Sequence, residues 1–190
     1  ARKYDLQHDI DHWAVEQAVN SIHELTRKGK QGTLFVAQSS HDVVNDADPE
    51  WIRAILRAKQ MVGTNLVLGY NLNELTSNIQ SSKNYFSKLQ DMGIKICLSD
   101  FPAKKVAFKL LQFLKVDYVK VSNKLLETDN SVINSFINQA HRLRVSVIVA
   151  DISDPRYVNL HWTSNADLIQ GDFISPPSET MNFNFSQAAL

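Results

Sequence analysis

A chain of 190 residues is long enough for one domain with a sizeable core, and 44% hydrophobic with 21% charged residues is the composition of a soluble globular protein. Its 20 basic residues are balanced by 20 acidic ones, so it lacks the surplus of positive charge that a nucleic-acid polymer requires. Cys97 is the single cysteine, which excludes an internal disulfide framework and fits a reducing compartment, and no apolar run approaches the roughly 20 residues that cross a bilayer. The polar start ARKYDLQHDIDHW lacks the apolar centre of a secretory signal. The expectation is a soluble, cytoplasmic domain without membrane insertion.

The first element is a helix from about Asp9 to Lys28. Strand candidates follow at TLFVA (33–37), NLVLG (65–69), IKICL (94–98), DYVKV (117–121), VSVIVA (145–150) and DLIQG (167–171). Amphipathic stretches lie between them: Ile79, Phe86 and Leu89 make one helix face, and Val106, Leu110, Leu111 and Leu114 another. Successive strands start roughly 22 to 32 residues apart, the spacing of repeated βα units with parallel strands and helical crossovers. After Pro177 the polar tail, with Phe183 and Phe185, reads as a surface extension over 178–190. The pattern fits an open doubly wound sheet, or a (β/α) barrel whose first strands lie upstream of residue 1. In either fold ligands gather at the C-terminal strand ends, which here carry Gln38, Gly69, Ser99, Asp100, Ser122, Asp151 and Gln170.

Each of these has a plain structural reading beside a functional one. Asp100 would cap the helix that follows Pro102 or help hold a ligand. Lys120 shares a strand face with Tyr118 and Ser122; inside a barrel it needs an anion or a carboxylate, and Asp100 is the natural ion-pair partner. Lys104, Lys105 and Lys109 form a solvated helix face. The histidines at 8, 12, 23, 41, 141 and 161 are read as surface or core residues, with no metal site expected. Nucleophilic catalysis is unsupported, since Cys97 lies mid-strand and no Gly-x-Ser-x-Gly elbow occurs. A receiver domain is disfavoured because TLFVAQSS carries no acid.

Four ordered segments carry a resemblance. KICLSDFP through DYVKVS resembles the stretch from the paired-aspartate DDFG motif to the KID motif of the EAL domains, phosphodiesterases and receptors of cyclic di-GMP. VSVIVADISD resembles that family's VIAEGVE, and LIQGDFISPP its QGY-F-S-P closing motif. The resemblance implies a modified TIM-like (β/α) barrel of the EAL type over residues 1–190, with the N-terminal strands that hold the Glu-Ala-Leu motif outside this chain. The family cleaves its substrate with a divalent-metal pair held by converging oxygen ligands. Carried over singly, its asparagine falls on Gln38, a glutamate on Gly69, the first paired aspartate on Ser99 and the KID aspartate on Ser122. Asp100 and Lys120 match, and Asp151 is a shortened glutamate.

The resemblance therefore implies a degenerate, catalytically inactive domain without Mg²⁺ or another cofactor. Its ligand would be cyclic di-GMP, held by Asp100, Lys120, Asp151, Gln170 and Gly171 beside Pro176; Phe101 and Phe173 would either stack on a base or, as such rings more often do, pack in the core. IDHW and the ending QGDFISPPSETMNFNFS resemble FimX-type members, which regulate type IV pili. That implies a PilZ-type adaptor or a pilus-assembly ATPase as protein partner, and family habit implies a homodimer. The other reading is an interaction scaffold that binds neither metal nor nucleotide, because the Glu-Ala-Leu strand also supplies a phosphate-gripping arginine.

Overall fold

A computed structural model of the chain describes residues 6–102, 105–121, 130–152 and 165–179. The first helix, α1, runs Gln7–Arg27, and its Val15, Ala18, Val19 and Ile22 recur at helical spacing and are buried. All six expected strands form: β1 Leu34–Gln38, β2 Leu66–Asn71, β3 Lys95–Phe101, β4 Tyr118–Val121, β5 Ser146–Val149 and β6 Leu168–Ile169. Helices α2 (His41–Val44) and α3 (Glu50–Ala58) follow β1, α4 (Leu72–Leu75) and α5 (Ile79–Gln90) follow β2, α6 (Lys105–Leu114) follows β3, and α7 (Asn130–Arg142) follows β4.

The strands are parallel and lie side by side in chain order, β1-β2-β3-β4-β5-β6. A doubly wound sheet reverses its winding at a switch point and places its first strand inside the sheet. An unbroken sequential order is that of a (β/α) barrel wall. Curvature agrees with the order. In a flat sheet β1 and β4 would stand about 14 Å apart at the usual strand spacing, yet the rings of Phe35 and Tyr118 meet edge-on with centroids 5.1 Å apart. The six strands are therefore an arc of a barrel wall, closed toward the face that carries Phe35 and Tyr118.

Each strand separates two apolar regions. Leu66, Leu68 and Tyr70 of β2, Ile96 and Leu98 of β3, Val119 and Val121 of β4 and Val147 of β5 face the helices and form the main core with Phe86, Leu89, Leu111 and Leu114. The opposite face holds a small cluster of Val67, Cys97 and Ile148, with Tyr118 against it. Helix α5 buries the expected Phe86 and Leu89, joined by Ser82 and Tyr85. In α6 the core face is Ala107, Phe108, Leu111 and Leu114, and Leu110 is only partly buried, a rotation of the expected face by part of a turn. The bottom rim is tied by two aspartates that precede strands. Asp117 accepts the Ile96 N–H at 2.9 Å, and Asp167 accepts the Val147 N–H at 2.7 Å. Tail residues 180–190 and Ser122 lie outside the described residues.

Candidate functional site

Alternation along parallel strands sends every second side chain into the lumen. Phe35, Val67, Cys97, Tyr118 and Ile148 fill its floor. Above them, toward the C-terminal strand ends, the wall carries Ala37, Gly69, Ser99 and Lys120, and Gln170 follows β6. Together they line a cavity of about 420 Å³. Lys120 is half-buried, and none of the described residues lining the cavity is an acid. Burial pushes the Cys97 thiol up to about 12, with the Lys120 ammonium opposing. Since the thiolate is the reactive form, Cys97 in the native chain is expected to react with an aromatic disulfide reagent at least about 100-fold more slowly than in the denatured chain. A thiol-release time course checks this.

The expected site residues separate into three groups. Gly69, Ser99, Lys120 and Gln170 meet in the lumen. The Ser99 hydroxyl donates to the Tyr70 carbonyl at 3.3 Å. At Gly69 an added Cβ would meet nothing closer than 3.7 Å, so packing does not demand a glycine there. The second group sits at the rim. Asp100 and Asp151 are exposed, and both hold left-handed backbone, with φ of 53° and 62°, which aspartate tolerates better than most residues. Exposed Phe173 and Pro176 follow on the loop after β6.

The third group corrects the sequence reading. Phe101 is 0% exposed and packs against Phe108 and Phe136, so neither ring face is open to a base. The cause is a register shift in β3 between Leu98 and Phe101: one extra residue, Asp100, reverses the alternation. Asp100 also does not pair with Lys120. Its carboxylate accepts from Asn71 Nδ2 at 2.6 Å, and among the described residues Lys120 has no carboxylate partner. Gln38 turns away from the lumen, donating from Nε2 to the Asp11 carbonyl at 3.4 Å. Asn71, which sequence reasoning did not single out, also caps α4 by accepting the Asn73 N–H at 2.9 Å. Asn71→Ala is expected to cost about 1 kcal/mol, lowering the calorimetric midpoint by about 2–4 °C.

The family model for the EAL domain matches residues 1–177. The chain belongs to the EAL domain family. Among solved structures it superposes on the Xanthomonas citri FimX EAL domain in complex with c-diGMP, with a TM-score of 0.87 and 21% identity, covering 97% of this chain and 76% of that one. The Pseudomonas aeruginosa FimX EAL domain bound to c-di-GMP gives 0.85 and 22%, with the same coverage. Similarity at this level shows the fold. Among curated proteins, an uncharacterised 76.5 kDa protein of Thiocystis violacea is 25% identical over 97% of this chain and 27% of its own length. The cyclic di-GMP phosphodiesterase PdeF of Escherichia coli is 18% identical over 96% of the chain and 26% of its own length. The chain thus spans about a quarter of the length of these curated relatives.

EAL domains that hydrolyse their substrate use divalent metal, and the lumen of this EAL domain offers such ions little. A Mg²⁺-class pair needs several converging hard oxygen ligands. In the cavity stand a glycine, one hydroxyl, one amide and an ammonium group, and the carboxylates of Asp100 and Asp151 lie exposed at the rim, Asp100 already held by Asn71. Among the described residues two rim carboxylates beside an ammonium group do not supply the converging oxygens that two divalent cations need. The interior instead combines a cation with apolar walls and suits an anionic ligand with flat apolar faces.

Proposed function

We propose that this EAL domain is a non-catalytic receptor for cyclic di-GMP. The observation that carries the reading is the placement of Lys120. It projects half-buried into a cavity of about 420 Å³ with no described acid in the lining, and a partly desolvated cation with no described counter-charge favours an anion. A cyclic dinucleotide supplies two phosphates and two purine faces. Phosphate would meet the Lys120 ammonium, and a guanine would lie toward Gln170 and exposed Phe173 at the lip. Asp100 and Asp151 stand exposed at the rim, where they would accept from guanine N–H groups. In-line hydrolysis would need metal-activated water, and Gly69 and Ser99 supply no carboxylate to hold the metal.

The FimX-type resemblance extends the proposal to a regulatory role in which a PilZ-type adaptor or a pilus-assembly ATPase reads the liganded state, in a homodimer and in the cytoplasm. Among the described residues no helix is long and apolar enough to cross a membrane. Isothermal titration of the metal-free chain with cyclic di-GMP tests the receptor reading. Saturable heat at micromolar or tighter affinity is expected. Absence of heat at high nucleotide would overturn it in favour of a scaffold that binds neither metal nor nucleotide.

A further inference from the structure

The first turns of α1 and the start of α2 bring three imidazoles onto one carboxylate. His8 and His12 lie one helical turn apart on α1, and His41 and Asp42 open α2. Asp42 Oδ1 stands 2.8 Å from His8 Nδ1 and 3.3 Å from His41 Nδ1, and Asp42 Oδ2 stands 3.1 Å from His12 Nε2. Ligand atoms of His8, His41 and Asp42 all lie within 4.8 Å of one another. The Asp42 side chain is 12% exposed, against 42% for His8 and 34% for His41, so the carboxylate is the more enclosed group and the imidazoles are partly open to solvent.

We propose that His8, His41 and Asp42 form a binding site for a transition-metal ion of the Zn²⁺ class, outside the barrel lumen. Three features support it. The His41 nitrogen-to-oxygen edge of 3.3 Å matches the edge of about 3.3 Å expected between ligands of a tetrahedral zinc centre with bonds near 2.05 Å, and the His8 edge of 2.8 Å, a hydrogen bond here, would have to open by about 0.5 Å to admit the ion. Second, the groups behind the ligands are already set. His12 holds the second oxygen of Asp42 and is itself stacked on Trp51 at 3.7 Å between centroids. The Asn45 amide lies 3.1 Å from His41 Nε2, where its oxygen, after an amide flip, would accept the N–H of a metal-bound imidazole. Third, an imidazole and carboxylate donor set selects Zn²⁺, Co²⁺ or Ni²⁺ over Mg²⁺. Three protein ligands leave a fourth position for water, and the ion would clasp α1 to α2.

The test is a titration of the chelator-treated full chain with Co²⁺, followed by its visible d–d absorption and by displacement with Zn²⁺. One ion per chain is expected, with Zn²⁺ displacing Co²⁺. His8→Ala and His41→Ala should each weaken binding by more than about tenfold, and His12→Ala by about 10- to 100-fold as an outer-shell loss. His23→Ala and His141→Ala, outside the cluster, should leave it unchanged. Melting of each metal-free variant establishes that it folds; should His8→Ala fail to fold, His8→Asn takes its place. No saturable binding, or full binding by a folded double variant of His8 and His41, would overturn the assignment.

Discussion

Lys120→Met is expected to weaken cyclic di-GMP binding by about 10- to 150-fold, the loss of one charge-assisted contact of about 1.5–3 kcal/mol. Methionine keeps the apolar stem that lines the lumen and removes only the ammonium. Among the described residues Lys120 forms no ion pair, so no buried carboxylate is orphaned by the change. The melting temperature should therefore hold or rise slightly. Calorimetric titration beside a thermal melt reads both quantities. A drop in affinity with an unchanged melt places the effect on the ligand, and an unchanged affinity would remove Lys120 from the binding site.

Gly171→Ala is expected to act on the fold itself. A Cβ at residue 171 would overlap the carbonyl oxygen and the nitrogen of Ile152. The obstacle is backbone, which no rotamer change can clear. That crossing is fixed by the Ile152 N–H donating to the Gln170 carbonyl at 3.1 Å and the Phe173 N–H donating to the Ile152 carbonyl at 3.2 Å. Separating the two segments costs about 3 kcal/mol, the upper end of ordinary overpacking, or about 6–12 °C in melting temperature. Because the same crossing positions Gln170 and the loop bearing Phe173, affinity for the nucleotide should fall with it. A variant that melts like the parent would contradict the close approach.

The strands were legible because each is a short run of β-branched or aliphatic residues between polar segments, and all six formed within a few residues of their expected bounds. Strand order was not legible, since spacing fits either a barrel or a doubly wound sheet; the sequential pairing decides it. Ser99 and Gly69 were read from the family motif as strand-end positions that have lost a metal ligand, and the alternation of β2 and β3 turns both into the lumen. Of the two readings open for Phe101, base stacking or core, the structure takes the core, because a bulge at Asp100 reverses the alternation after Ser99. No local residue pattern announces such a bulge: aspartate at φ 53° takes a conformation that turn glycines and asparagines adopt more often. The histidine cluster could have been suspected from His8 and His12 at i and i+4 on a helix. Their meeting with His41 and Asp42 depends on how α1 packs over the end of β1, where Asp11 accepts the Ser39 N–H at 3.0 Å. That is tertiary information.

The central claim is that the lumen binds the cyclic dinucleotide without being able to hold the metal pair that cleaves it. Its most direct test is chromatography of cyclic di-GMP incubated with the chain at saturating nucleotide in Mg²⁺ or Mn²⁺. The account predicts that the nucleotide is recovered intact with either ion. Metal-dependent accumulation of the linear dinucleotide, abolished by chelator, would contradict it.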